Sequence, residues 1–224
     1  MFFDRLSNSA VARTLQLPKI SAALGWLAQD CLLCGARAGR EPVCAQCEAA
    51  LAPCASCAAP PPIDAAIAAF DYAFPIDRLV QRFKYGGDLA AGRWLATRLA
   101  ARVEALERPQ LLVAPPLSVT SLRARGFNQA LEIAKVVGGA LGIRVPLHAF
   151  DKTRETPPQQ TLGRRDRATN LRGAFACRMP LDGEHVAIVD DVVTTGATAA
   201  ALGESLSRAG AGSVSLWVLA RTPE

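Results

Sequence analysis

The chain has 224 residues, half of them hydrophobic and 20% charged, which suits one domain of ordinary size plus a small appendage. No apolar run is long enough to span a membrane. The net charge of +5 is compatible with an anionic substrate such as a pyrophosphate, or with weak attraction to nucleic acid, and does not choose between them.

Residues 1–30 carry Arg5, Arg13 and Lys19 without the long apolar block and small-residue cleavage site of a signal peptide. Val11, Leu15, Leu17, Ile20, Leu24 and Leu27 give the segment a partly amphipathic pattern, interrupted by Pro18. It is expected to be an N-terminal helical extension that packs on the body or frays, with a membrane-surface helix as the alternative.

Six of the seven cysteines form three CxxC pairs, Cys31/Cys34, Cys44/Cys47 and Cys54/Cys57. In a chain without a secretory signal this pattern points to metal binding in a reducing compartment, and so to a cytoplasmic protein. Each pair supplies two thiolates from one tight turn, which is half of a tetrahedral zinc shell. The spacing of Cys31, Cys34, Cys44 and Cys47 is that of a small zinc ribbon, predicted over residues 31–59 around one structural Zn2+. Cys54/Cys57 is then a remnant of a second site, and a redox CxxC is the competing reading. Cys177 stands alone and reads as a small buried hydrophobe.

Pro60-Pro61-Pro62 reads as a stiff linker, and from residue 63 the pattern becomes that of an α/β domain running to 224. Strands are predicted over 65–72, 111–114, 143–147 and 213–220. Helices are predicted over 76–84, 89–106 and 129–141. Between Leu117 and Asn128 lies a loop containing Arg123 and Arg125. Residues 151–173 are polar and arginine-rich, lack an apolar period, and read as a long loop inside a compact domain, of the kind that is usually functional or disordered. The alternation of strands and helices predicts a mostly parallel sheet flanked by helices.

The most informative run is His185-Val-Ala-Ile-Val-Asp-Asp-Val-Val-Thr-Thr-Gly-Ala-Thr198. Residues 186–189 have the continuous apolar, β-branched character of a buried parallel strand. Asp190 and Asp191 leave it at the carboxyl end, where open α/β sheets bind ligands. Thr194, Thr195 and Thr198 offer hydroxyl donors, and Gly196 admits close approach of the backbone to a phosphate. A helix predicted from Ala197 to Arg208 then presents free N–H groups and a dipole that favour an anion. Acids beside such a turn suit the vicinal hydroxyls of a sugar phosphate. The plainer reading is an ordinary strand–helix turn with a threonine cap. A Walker A loop is excluded by the absence of G-K-[ST], and a dinucleotide fingerprint by the absence of G-x-G-x-x-G.

The segment resembles the signature of type I phosphoribosyltransferases, D-D-V-x-T-T-G-x-T, with every specified residue present. Taken with the cysteines, Phe83-Lys84-Tyr85-Gly86-Gly87-Asp88, Arg125-Gly126-Phe127-Asn128-Gln129, Arg154-x-Thr156-x-x-Gln159-x-x-Leu162 and Arg167-x-x-Asn170, the chain resembles the ComF/ComFC family, including its GntX-like members. The resemblance implies a type I phosphoribosyltransferase fold behind a zinc ribbon, and a place in DNA uptake or DNA utilisation. It implies that phosphoribosyl pyrophosphate is bound with Mg2+. Asp190 and Asp191 would hold ribose hydroxyls or magnesium-bound water, and Val192, Val193, Thr194, Thr195, Gly196, Ala197 and Thr198 the 5-phosphate. Arg123 and Arg125 would cradle pyrophosphate, with Lys84 a further phosphate contact, while Arg164 and Arg165 (with Arg167) would reach the leaving group from a closing loop. A nucleobase acceptor is implied for catalysis. The alternative is a non-catalytic accessory that binds single-stranded DNA or a helicase-like DNA uptake protein through the ribbon. Some relatives carry a fourth CxxC; this chain has one Cys₄ complement and two spare cysteines.

Overall fold

The computed structural model describes residues 29–152 and 173–223. Its frame is a four-stranded sheet of β3 (Ala65–Asp71), β4 (Leu111–Val113), β7 (His185–Val193) and β8 (Ser213–Arg221), in the order β3-β8-β7-β4. All three pairings are parallel. The expected α/β architecture, a mostly parallel sheet flanked by helices with a small cysteine module ahead of it, is therefore present.

Strand periodicity sorts the core into two faces. Ala187, Val189, Trp217 and Leu219 point to one side, where they meet Leu79 and Phe83 of α2 (Ile76–Gly86), Trp94, Leu95 and Leu99 of α3 (Leu89–Val103), and Ile133 and Val137 of α5 (Gln129–Leu141). Val186, Ile188, Leu216 and Val218 point to the other, against Leu202 and Leu206 of α6 (Ala197–Arg208). Because both faces are covered, β7 and β8 are apolar at consecutive positions rather than at every second one.

Helix ends follow local chemistry. Asp88 caps α3 by accepting from the Ala91 N–H, and Gly87, at φ +64°, closes α2 in the left-handed conformation. Helix α3 stops at Val103, short of the predicted Leu106. The predicted loop 117–128 contains a short helix, α4 (Val119–Arg125), capped by Ser118. The predicted strand 143–147 does not form: Arg144 makes one isolated bridge to Leu111, and Pro146 has no N–H to extend a ladder. Instead β5 (Phe150–Lys152) pairs antiparallel with β6 (Phe175–Cys177), an element the sequence pattern did not reveal.

The cysteine module consists of β1 (Gln29–Asp30), antiparallel β2 (Arg37–Gly39) and α1 (Ala45–Ala49). Its first strand thus uses residues read above as the end of the N-terminal extension. The module rests on the body through the buried side chains of Cys31 and Val43, an Arg98–Glu48 ion pair at 2.6 Å, and a hydrogen bond from Arg102 to the Cys54 carbonyl at 3.0 Å. The Cys54 N–H also donates to Ala69 O at 3.0 Å, so the chain after the module runs along the edge strand β3. Among the described residues, no helix is long and apolar enough to cross a membrane.

Candidate functional site

At the carboxyl end of the sheet lies an open cavity of about 510 Å³. One wall is the end of β7 with the turn that follows; the other is α2's last turn together with the segment from Pro115 to Gln129. All of residues 190–198 line it, as do Lys84 and Arg125. Arg123 is exposed and is not among the lining residues. Residues two apart on a helix point about 200° from one another, so α4 cannot aim Arg123 and Arg125 at one target. Arg164 and Arg165, with Arg154, Thr156, Gln159, Leu162, Arg167 and Asn170, lie outside the described residues, as do the N-terminal 28.

The two carboxylates are not equivalent. Asp191 is 7% exposed, and its Oδ2 lies 2.8 Å from the Lys84 ammonium. Asp190 is partly buried, and its Oδ1 accepts from the Asp191 N–H at 2.8 Å. Burial and the neighbouring Asp191 charge push the Asp190 carboxyl up to about 7, against the opposing pull of that N–H, Lys84 and Arg125. For Lys84, burial favours the neutral amine, but the attraction of Asp191 and Asp190 outweighs it and holds the ammonium charged. The pair of acids therefore has Lys84 as its direct counter-cation, with Arg125 acting on Asp190 through its charge.

Gly196, at φ +72°, is the N-cap of α6, and Thr195 Oγ1 accepts from the Ala197 N–H at 3.4 Å. A side chain at 196 would be strained by that φ, and its Cβ would lie 2.7 Å from Pro60 Cγ, so the linker packs directly on the turn. The twelve-residue α6 presents its N-terminus to the cleft.

The opposite wall is fixed by residues whose roles the sequence reading left open. Asn128 caps α5 by accepting from the Leu131 N–H at 3.2 Å, while its Nδ2 donates to Pro115 O at 2.9 Å. Gln129 is 1% exposed; its Nε2 donates to the Lys84 carbonyl at 3.4 Å and its Oε1 accepts from Arg125 at 3.2 Å. The Arg125 guanidinium lies over the Tyr85 ring, 5.7 Å from its centre. A continuous polar chain thus joins Arg125, Gln129, Lys84 and Asp191. Asn128, Gln129 and Tyr85 all fall within the two short motifs quoted above, which was the available signal. His185 Nε2 pairs with Ser215 Oγ at 3.0 Å and His148 is exposed; neither lines the cleft.

A second constellation lies in the cysteine module. The Sγ atoms of Cys31, Cys34, Cys44 and Cys47 all fall within 4.8 Å of one another, with Cys34 and Cys44 at 3.8 Å. Tetrahedral zinc with Zn–S near 2.3 Å requires S···S of about 3.8 Å, so the donor set and its span fit that ion. Backbone N–H groups of Leu33 and Cys44 donate to Cys31 Sγ at 3.5 and 3.3 Å. Burial would raise the Cys31 thiol, but N–H groups from Cys44, Cys34 and Leu33 overcome it and bring it down to about 6. Cys47 goes the other way, up to about 12, because it hydrogen-bonds the Cys34 and Cys44 thiols, with burial adding to the effect. One sulfur is thus already disposed to be a thiolate. Cys54 and Cys57 are not in this group. Cys54 is buried, donates to Ser56 O at 3.1 Å and accepts from Arg221 Nε at 3.2 Å.

No protein-family profile matches the chain. A protein of Escherichia coli K12 called DNA utilization protein YhgH is 35% identical over 177 residues, covering 76% of this chain and 78% of that protein. Competence protein F of Haemophilus influenzae is 31% identical over 159 residues, covering 67% and 69% respectively. Among solved structures, an allosteric regulatory enzyme of purine biosynthesis superimposes with a TM-score of 0.41 at 20% identity, over 62% of this chain and 30% of that one. That likeness is too distant to bear on the chemistry of this cleft.

Proposed function

The chain belongs to the ComF family of DNA utilization and competence proteins, and from that premise we propose that its cleft binds phosphoribosyl pyrophosphate with Mg2+ in the service of DNA uptake or utilisation. The observation that carries the proposal is the convergence of two carboxylates and a glycine-opened helix N-terminus on one cavity at the carboxyl end of a parallel sheet. A sugar needs acceptors for its hydroxyls where a phosphate needs donors, and the two ends of the 190–198 segment supply these in turn.

Asp190 and Asp191 accept from the ribose hydroxyls. The amides around Thr195 to Thr198 hold the 5-phosphate, in a turn whose left-handed bend Gly196 supplies. Arg125, braced by Gln129, faces the diphosphate with a forked donor set. Magnesium fits the hard oxygen donors of the acid pair and would neutralise charge on the diphosphate as it leaves. Positive charge grows on ribose C1 as that bond breaks, and the acid pair beside it stabilises the change by electrostatics rather than by a protein nucleophile. Arg164 and Arg165 are proposed to approach the leaving group from the neighbouring segment. In the cysteine module, Cys31, Cys34, Cys44 and Cys47 are proposed to hold one structural Zn2+.

Isothermal titration with phosphoribosyl pyrophosphate and magnesium tests the reading. Binding to the wild type that is lost in Asp190→Asn/Asp191→Asn supports it. Equal affinity in both proteins, or none in either, overturns it.

A further inference from the structure

Both oxygens of Asp191 are engaged within the protein. Oδ1 accepts from the Val192 N–H at 2.7 Å, and Oδ2 lies 2.8 Å from the Lys84 ammonium. Asp190 is held on one side only: its Oδ1 accepts from the Asp191 N–H, and its Oδ2 has no hydrogen-bond partner among the described residues. A divalent cation approaching the acid pair therefore meets one uncommitted oxygen, whereas magnesium is ordinarily held by one or two carboxylates together with phosphate oxygens. It cannot share Asp191 Oδ2 with the ammonium. Both side chains of that pair are largely buried, so two cations on one oxygen would repel each other more strongly than in water.

The ammonium is free to change partners while its backbone stays put. The Lys84 carbonyl accepts from buried Gln129 at 3.4 Å, and Gly87 closes the helix three residues on. The four-carbon stem between that fixed backbone and the charged end is flexible. Lys84 and Arg125 line the same cavity, and Arg125 is tied to Gln129 as well. A diphosphate facing Arg125 thus offers oxygens to which the Lys84 ammonium can move.

We propose that Lys84 exchanges partners on ligand binding: its ammonium passes from Asp191 to the diphosphate, and the divalent cation takes the place it leaves on Asp191. Lys84 is then a specificity-determining residue that couples the cation to the diphosphate. This rests on the ribose-diphosphate reading above and deepens it. A sugar phosphate without the diphosphate gives the ammonium nowhere to go, and the acid pair stays closed to the metal. By linkage, removing Lys84 should admit the cation on its own and erase part of the preference for the diphosphate ligand.

The test uses the full chain as wild type, Lys84→Met and Lys84→Gln, with three probes. Manganese alone, an oxygen-seeking stand-in for magnesium, is followed by the paramagnetic resonance of the free ion. Phosphoribosyl pyrophosphate and ribose 5-phosphate, each with magnesium, are titrated calorimetrically. Both variants are expected to bind manganese on the order of tenfold tighter than wild type, because Asp191 is left buried without its counter-cation. They should bind phosphoribosyl pyrophosphate on the order of tenfold more weakly, with ribose 5-phosphate bound as well as by wild type or better. A gain for one probe beside a loss for another also shows that the variants are folded, and a purely structural role would not produce it. Manganese bound no tighter by the variants than by wild type would overturn the proposal. So would equal weakening of the two sugar phosphates. Failure of phosphoribosyl pyrophosphate to bind the wild type strikes the underlying reading instead, while the manganese comparison still decides whether Lys84 closes the acids to a cation.

Discussion

The cysteine module and the cleft are each built from polar side chains brought together from separate parts of the sequence, yet they are held by different physics. In the module, four sulfurs lie within 4.8 Å of one another on a scaffold of two short strands and a five-residue helix, where Cys31, Pro42 and Val43 are buried. In the cleft, the acids stand two residues before the end of a strand embedded between two packed faces, and Lys84 beside them is braced by buried Gln129. One site has to be completed by what binds it; the other is shaped before anything binds. A small element with little core relies on such coordination, whereas a covered parallel sheet does not.

The largest effect that would sharpen this contrast is metal removal. Chelation, or Cys34→Ser/Cys44→Ser, is expected to cost the module on the order of 10 kcal/mol of binding-coupled stability. Hydrogen exchange should then show residues 29–57 unprotected while β7, β8 and α5 keep protection. Elemental analysis of the untreated protein should give one zinc per chain. Collapse of both regions together would break the comparison.

Next in size is a packing change in the body. At Gly92 a Cβ would overlap the ring of Phe83, the buried residue beside Lys84 on α2. Gly92→Ala is expected to lower stability by about 1–3 kcal/mol in urea unfolding, with zinc content unchanged. Because Phe83 supports the turn that carries Lys84 and Tyr85, weaker ligand binding should accompany the loss.

A smaller effect is a pH dependence specific to the cleft. The Asp190 carboxyl rises from 3.8 to about 7 on folding, so the folded chain holds a proton that the unfolded chain has released. Its contribution to stability is present below 3.8, fades as pH climbs toward 7, and levels off above. Urea midpoints of the ligand-free protein should show this decline, and Asp190→Asn should flatten it. Lys84→Met, which removes a cation that lowers the Asp190 value, should move the end of the decline to higher pH.

The smallest expected effect is at the junction. The Arg98–Glu48 pair joins the two regions but is partly exposed on both sides. Arg98→Ala should cost less than about 1 kcal/mol, read as a slight fall in midpoint. A loss of several kcal/mol would mean that the regions do not stand apart energetically.

Much of this was legible in the sequence where one physical rule acted alone. The helices expected over 129–141 and 197–208 form with those bounds, and the CxxC spacing pointed to the four thiols that meet. The reading failed where tertiary partners decide. Residues 143–147 look strand-like, but Pro146 cannot extend a ladder and the edge is bridged only once. Residues 150–152 and 175–177 become strands only because they find each other across a long intervening segment. Arg123 and Arg125 were paired by adjacency, and the half-turn of helix between them sends them in opposite directions. The bracing roles of Asn128 and Gln129 depend on Pro115 and Lys84, which no local pattern connects to them.

The proline that leans on Gly196 constrains how this chain can be cut or recombined. Pro60 belongs to the connector, but its ring occupies the space a methyl group on the turn would need, and Ile63 stands in the same relation to Gly203 farther along α6, with Pro62 in ordinary contact there. A fragment begun after the prolines would expose the outer side of that turn, and a chimera joining one relative's first sixty residues to another's remainder would have to match both surfaces. Connector and turn are best regarded as one inheritable unit, despite the long stretch of chain between them.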